Sequence, residues 1–436
     1  MIALSLAEVR RLAPGELRIA GRAERVTGLT IDSRRVRPGD LFVAVGGGGA
    51  YADDALAAGA AAALLPADAF TVLAALAAEV RARSRARVVA VTGSIAKTTT
   101  KDILGALVAP HRRTVVAEAS QNNEIGLPLT LARIEEDTEV CIVEMGMRGL
   151  GQIAELCATA RPDVGVITKI GPVHLELLGT IERVAQAKAE VVEALPSGGT
   201  AVVPAAEPLL EKHLGRDDVA YVRFGPGGDV ELRSLAPSQA GCRVGIRALG
   251  ERVELELPFT SRHNAENAVA ALAAYAALGL PLADAERGAA DVRLSRWRGE
   301  EIPLPGDGLL INDAYNANPL SMAAALEHAV SRARGRRTIA ILGDMAELGP
   351  RADEYHREVG ALAERLGVHA LVAVGPLARA YVDGARGIAE RRWLPDASAA
   401  AAAVHEFVRP GDCVLVKASR SLGLEAVADA LAVVPA

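Results

Sequence analysis

Residues 87–101 read RVVAVTGSIAKTTTK, and this stretch decides the fold. An apolar run, Arg87-Val-Val-Ala90, predicts a strand. It enters a tight turn at Gly93 and Ser94, and the turn opens a helix that starts with Lys97, Thr98 and Thr99. A strand, glycine turn and helix N-terminus in succession line up backbone N–H groups around a phosphate chain. Lys97 is expected to reach the terminal phosphates, and the Thr98 hydroxyl to offer a ligand to Mg²⁺. ATP or GTP is therefore the expected ligand. Ala96 stands where such loops normally carry glycine, and alanine disfavours the positive φ that the turn demands. The bland alternative is a Gly-Ser turn before an ordinary Lys/Thr helix start.

Composition bounds the rest. The chain has 436 residues, a length that suggests about three domains. Half of the residues are hydrophobic but only 3% are aromatic, so Ala, Val and Leu must build the cores. Lys and Arg number 48 against 54 Asp and Glu, a formal charge of −6 without long runs of one sign. A nucleic-acid binder would concentrate basic charge on one face, so no nucleic-acid partner is expected. No apolar stretch approaches the ~20 residues of a membrane span, and the N-terminus does not read as a signal peptide. Leu4, Val9 and Leu12 instead suit a short amphipathic helix. Cys141, Cys157, Cys242 and Cys413 form no C-x-x-C pair and read as buried thiols in a reducing cytoplasm.

Working outward from the phosphate loop, residues 1–85 hold the strand-like VTGLTIDSR and DLFVAV and then Ala-rich sequence read as helix, including 55–64. A basic helical stretch at 81–87 marks a boundary near 85. From 86 to about 205, VCIVEMG, DVGVITKI and GTAVVP alternate with GLGQIAELCATA and ERVAQAKAEVVEAL, which implies βαβ units and a mostly parallel sheet. The short strands of 220–260 suggest a small antiparallel patch. Helices are expected at 263–278 and 283–291. The polar segment SRWRGEEIPLPGDG places a second boundary near 300. Beyond it come the strands GLLINDAY, RTIAILGD, HALVAVG and DCVLVKAS. Helices are expected at 319–333, 353–367, 376–386, 397–408 and 421–432. These make a second α/β domain with no phosphate loop of its own.

Several polar groups fall just past strand ends, where open α/β sheets bind ligands. Glu144 ends VCIVE, His174 follows VITKIGPV, and Asn122 and Asn123 lie in SQNNEIGLPLT. Singly, each reads as a helix cap, a loop hydrogen bond or a solvated charge. Beside a phosphate loop they resemble a magnesium and substrate shell.

The segments SQNNEIGLPLTL, EMGMRGLGQIAEL, PDVGVITKIGPVHLELLG, AQAKAE, RHNAENAVAAL, INDAYNANPLSM, ILGDMAELG and VKASRSLGLE follow one another in order. Together they resemble the Mur ligase family of ATP-dependent amide-bond-forming enzymes, from about residue 27 to the C-terminus. The resemblance implies an α/β protein of three domains: a small UDP-binding domain at 1–85, a central ATPase domain at 86–300 and a Rossmann-like domain at 301–436. NDAYNANP and LGDMAELG look most like members that join D-alanyl-D-alanine to UDP-N-acetylmuramoyl-tripeptide through an acyl phosphate, in peptidoglycan synthesis.

The same resemblance implies residue roles. Ser33 and Arg34 would contact the UDP-sugar, and Asn122 and Asn123 the substrate. Gly93, Ser94, Ala96, Lys97, Thr98 and Thr99 would hold the phosphates. Glu144 and His174 match positions of the metal shell, with Thr98 beside them. Lys188 matches a lysine that CO₂ carbamylates. A plain lysine cannot ligate a metal, whereas a carbamate can. From spacing alone Lys188 reads as a solvated helix lysine paired with Glu182 or Glu190, and only the family pattern reverses that reading. Asn267 matches an adenine contact, Arg298 a hinge arginine and Asp313 the carboxylate on the ATP ribose. Tyr315 and Asn316 complete that signature, although Asp313 and Asn316 also suit a turn before Pro319. Ser419 and Arg420 lie in the loop facing the incoming dipeptide. Because these groups are split across the boundary near 300, catalysis is expected to need a hinge near Arg298–Pro305.

Departures from the family pattern are Ala96, Lys169 in place of Asn, Ser261 in place of Gly, and a 203–208 segment without the usual Asn and Asp. Residues 47–56, GGGAYADDAL, replace a longer segment in relatives. Three alternatives stay open. One is another Mur-type ligase that adds the third residue, or a polyglutamate or cyanophycin-type relative. Another is a degenerate ATP-binding relative without ligase activity. The last is an ATP-driven partition protein, whose loops usually carry a lysine where Thr92 stands.

Overall fold

The computed structural model describes residues 1–432. The chain gathers into two compact units. One comprises Met1–Lys169, Ala185–Thr260 and Asn264–Arg293; the other comprises Ile170–Val184, Ser261–His263 and the chain from Leu294 onward.

Within the first unit, residues 1–85 carry a four-stranded sheet in the order Glu16–Ile19, Ala62–Leu65, Asp40–Val43, Gly28–Thr30. The helix Ala69–Arg83 follows, started by Asp68, whose carboxylate accepts from the Phe70 and Thr71 N–H groups. At its far end the Arg81 guanidinium donates to the Ala160 and Arg161 carbonyls and pairs with Asp163, tying this helix to the sheet that follows.

That sheet has nine strands. Its order is Glu251–Leu257, Gly241–Ala248, Val230–Ser238, Ala220–Phe224, Thr200–Pro204, Val164–Ile167, Arg87–Thr92, Val140–Glu144, Thr114–Val116. The last six named are parallel, and their continuous Val-, Ile- and Ala-rich runs suit strands covered on both faces. Apolar side chains of Arg87–Thr92 and Val140–Glu144 are buried almost completely. The phosphate-loop strand lies between Val140–Glu144 and Val164–Ile167, a crossover point where ligand crevices form.

The second unit holds a six-stranded sheet in the order Glu300–Leu304, Gly308–Asp313, Cys413–Lys417, Thr338–Gly343, Ala370–Val374, Glu390–Leu394. All pairs are parallel except the first. Alternate residues feed opposite cores. Leu309, Ile311, Leu342 and Leu415 pack with residues of the helices Pro319–Ala333 and Ala352–Arg365. Leu310, Ile341, Val414 and Val416 pack with those of Ala397–Phe407 and Glu425–Ala432. This is a doubly wound arrangement.

Four expectations need correction. The Ala-rich run 55–64 is not one helix: Ala52–Ala57 is helical, but Ala62–Leu65 is a buried strand. Burial between two partner strands outweighs the helix preference of alanine there. Of the strands of 220–260, Val230–Ser238, Gly241–Ala248 and Glu251–Leu257 are antiparallel as expected, but Ala220–Phe224 runs parallel with Thr200–Pro204, so the patch is the end of the main sheet. Residues Leu282–Asp291 form a 3₁₀-helix rather than an α-helix. Finally, part of the polar segment thought to separate domains is the edge strand Glu300–Leu304, and the strand Glu390–Leu394 escaped notice altogether. Both are edge strands, so charged side chains remain in water and no apolar alternation marks them.

Candidate functional site

The phosphate loop forms as its sequence requires. Gly93 has φ 143°, and a Cβ there would stand 2.0 Å from Thr168 Oγ1, so only glycine fits without rebuilding. The Thr168 hydroxyl donates to the Thr92 carbonyl, and the Ser94 N–H to the Lys169 carbonyl at 2.7 Å, which locks the turn onto the neighbouring strand end. Ala96 takes the left-handed conformation, φ 68° and ψ −3°, at the N-cap of the helix Lys97–Val108. That position costs an alanine about 1–2 kcal/mol relative to ordinary helical geometry. Lys97 folds back, its Nζ donating to the Gly93 carbonyl at 2.9 Å. Thr98 and Thr99 are buried.

Glu144 closes the neighbouring strand, paired in register with Val91. It is almost fully buried, and Asn122 Nδ2 donates to its Oε1 at 2.8 Å. Its Oε2 is buried with no hydrogen-bond partner. Leaving a carboxylate oxygen so costs free energy unless a cation completes the site. No three His, Cys, Asp or Glu side chains converge among the described residues. A magnesium ion fits that sparse donor set, since it usually takes one or two protein carboxylates plus phosphate oxygens and water.

Lys188 lies on the helix Ile181–Glu193 and is only 1% exposed. Burial pushes its ammonium well below the ordinary lysine range; the nearby Lys97 charge adds to this, while Glu144 and Glu190 oppose it. The solvated-lysine alternative is thereby overturned. Glu190 is committed elsewhere: its two oxygens accept from the Gly151 and Ala154 N–H groups and cap the helix Gln152–Ala160. Asn123 also caps, accepting from Ile125 and Gly126 N–H. Asn267 donates to Asn264 Oδ1 at 3.1 Å. Arg34 folds onto Asp32 in the turn Ser33–Arg35, and the next residue, Arg35, pairs with Glu118.

In the second unit His174 has φ 53° and its Nδ1 is held by the Glu347 carboxylate. Asp313 ends its strand and accepts from Lys417 Nζ at 2.6 Å, and the same ammonium donates to the Asn316 carbonyl. Burial draws Lys417 below the usual lysine range, and Asp313 works against that shift. The Asn316 side chain accepts from the Ala317 N–H, and Asn318 with Ser321 forms a capping box that starts the helix after Pro319. Arg298 lies over the Tyr315 ring, 4.1 Å from its centre. The buried Ser419 hydroxyl accepts from Ala346 N–H at 2.9 Å, which fastens its loop to the one after Thr338–Gly343. Arg420 is exposed and pairs with Glu425.

Lys97, Glu144, Lys188 and Asn122 thus form one constellation, and Asp313, Asn316, Tyr315, Arg298, Ser419 and Arg420 share the loops of the other unit. Sequence reasoning missed Thr168, Glu347 and Lys417. A lone lysine closing the apolar run CVLV was the available signal for Lys417; the other two carried none.

Residues 91–275 match the family model of the Mur ligase middle domain, and residues 297–420 that of the Mur ligase glutamate ligase domain. The UDP-N-acetylmuramoyl-tripeptide–D-alanyl-D-alanine ligase of Bacillus subtilis is 32% identical over 92% of each chain. Among solved structures, MurF from Acinetobacter baumannii is 26% identical, with a TM-score of 0.86, over 98% of this chain and 99% of that one. MurF from Thermotoga maritima in complex with ADP is 28% identical, with a TM-score of 0.79, over 93% and 97%.

Proposed function

The chain belongs to the Mur ligase family, and on that premise we propose how its own residues carry out the ligation. It is an ATP-dependent carboxylate–amine ligase of peptidoglycan precursor synthesis that adds D-alanyl-D-alanine. The acceptor is UDP-N-acetylmuramoyl-tripeptide. A carboxylate oxygen of that tripeptide attacks the γ-phosphorus of ATP, the bond to the β-phosphate oxygen breaks, and ADP leaves. The dipeptide amine then attacks the acyl carbon of the resulting acyl phosphate, losing a proton as inorganic phosphate departs.

The observation that carries this reading is the gathering of Lys97, Glu144 and the buried Lys188 about the end of the phosphate-loop strand. The reaction brings several anionic oxygens together, so the protein must supply fixed positive charge. Lys97 leaves the Gly93 carbonyl and binds the transferred phosphoryl group. Backbone N–H groups from Gly93 to Thr99 cradle the remaining phosphates. Thr98 and Glu144 would hold Mg²⁺, which supplies further screening of phosphate charge when bound. Burial disfavours the ammonium of Lys188 and so favours the neutral amine, the form that reacts with CO₂, and as a carbamate it would supply an anionic ligand. Within the first unit Asn267 contacts the adenine, and Ser33 and Arg34 the UDP-sugar. Asn122 orients Glu144. Tyr315, Asn316 and Arg420 serve the dipeptide, with Ser419 bracing their loops. A cytoplasmic setting accords with four free, buried cysteines and with the lack, among the described residues, of a helix long and apolar enough to cross a membrane.

Phosphate release measured with ATP and UDP-N-acetylmuramoyl-tripeptide, with and without D-alanyl-D-alanine, tests the proposal. Release that depends on the dipeptide and disappears in Lys97→Ala is expected. Nucleotide binding without dipeptide-dependent turnover would instead mark a degenerate relative.

A further inference from the structure

The segment between the 3₁₀-helix Leu282–Asp291 and the edge strand Glu300–Leu304 contains Trp297, whose φ is 60°. A bulky aromatic residue in the left-handed region is a true outlier. Such strain persists where the surroundings over-determine it, and it collects at functional sites. Here the surroundings are specific. The Trp297 carbonyl accepts from the Tyr315 N–H at 3.3 Å. Its indole lies under two guanidiniums, Arg420 at 4.6 Å and Arg296 at 5.3 Å from the ring centre. The next residue, Arg298, covers the Tyr315 ring.

Arg420 would otherwise be a surface side chain, with half of its area in water. Stacking on the indole fixes the plane of its guanidinium, and Glu425 takes one of its edge nitrogens. The remaining N–H donors then point along a fixed edge, the geometry that bidentate carboxylate recognition needs. Arg296 on the same ring adds a second positive charge, so a single carboxylate, Glu425, does not balance the pair.

We propose that Trp297 is a positioning residue that holds Arg420 ready to receive the carboxylate of the incoming dipeptide, and so sets the affinity for that substrate. This rests on the ligase reading given above. Trp297 does not touch the nucleotide or the acyl phosphate in this role. Its loss therefore acts on one KM and leaves the others alone.

Steady-state kinetics of Trp297→Ala and Trp297→Phe test it. Removing the ring is expected to raise the KM for D-alanyl-D-alanine about tenfold, the size of one well-formed cation–π contact. The KM values for ATP and the tripeptide should stay within about twofold, and phenylalanine should restore most of the loss. Trp393 is the other tryptophan of the chain, on the distant edge strand Glu390–Leu394, so Trp393→Phe leaves Trp297 as the only indole. In that variant, dipeptide added with a non-hydrolysable ATP analogue and the tripeptide should shift the tryptophan emission. An unchanged dipeptide KM in Trp297→Ala, an equal rise in all three KM values, or emission unmoved at saturating dipeptide each overturns the proposal. The emission arm decides the matter should the alanine variant fail to fold. Absence of dipeptide-dependent turnover in the unsubstituted chain would instead overturn the ligase reading, and this proposal with it.

Discussion

Ala96 carries a strain that a glycine would not, because its methyl group crowds the backbone at φ 68°. Part of the gain from glycine is lost to its greater freedom in the unfolded chain. Ala96→Gly is therefore expected to raise the stability of the ligand-free protein by only about 0.5–1 kcal/mol. A urea titration followed by circular dichroism would show it as a higher midpoint. A lower midpoint would mean that the methyl group packs favourably in the turn. Lys188 presents the opposite case, a residue whose burial is costly and to which the proposed function gives a chemical role. Lys188→Ala should lose nearly all turnover, and small carboxylates such as acetate or formate in solution should restore part of it by replacing the missing anion. Full activity of the alanine variant without added acid would remove the carbamate from the reaction. Lysine at 188 was legible, but its environment was not. One-dimensional spacing offered Glu182 and Glu190 as partners, whereas the fold turns Glu190 to the N-terminus of another helix.

The helix Lys97–Val108 shows how an element's sequence misleads about its surroundings. KTTTK is polar throughout, yet Thr98, Thr99, Thr100 and Lys101 are all buried. Lys101 Nζ donates to the Ala117 carbonyl at 2.6 Å and pairs with Asp102 at 2.6 Å. It thereby anchors the start of the segment that carries Asn122 to Glu144. Removing the ammonium takes away its hydrogen bond to the Ala117 carbonyl and its ion pair, a loss of about 1–3 kcal/mol. Lys101→Met should lower stability by that order in a urea titration. A loss below about 1 kcal/mol would show that the apolar stem, not the ammonium, supplies the packing. Strands divide by the same logic. Interior strands such as Val140–Glu144 declare themselves through unbroken apolar runs, and edge strands such as Glu390–Leu394 do not, because nothing covers one side.

Across the whole molecule the four thiols are buried in the sheets and helices of both units. Burial pushes Cys141 and Cys157 up to about 12 and Cys242 and Cys413 up to about 11. A thiol-specific disulfide reagent at about pH 8 should therefore label almost none in the native protein and all four at once in denaturant. Because the thiolate is the reacting form, native labelling should rise with pH only as those raised values are approached. Rapid native labelling near neutral pH would show local opening of the cores. The alternation of strands and helices beyond the phosphate loop, apart from edge strands such as Glu300–Leu304 and Glu390–Leu394, and the phosphate loop itself were determined by sequence, since each depends on local periodicity and turn chemistry. The family followed from motifs in order along the chain. Tertiary structure alone decided that Ala62–Leu65 is a strand and that the strands of 220–260 extend the central sheet. It alone placed Lys417 on Asp313, Glu347 on His174 and Arg420 over Trp297. The physical reason is common to these cases. Each joins residues far apart in the chain or turns on burial, and neither a pairing partner nor a lost water shell leaves a period in the sequence.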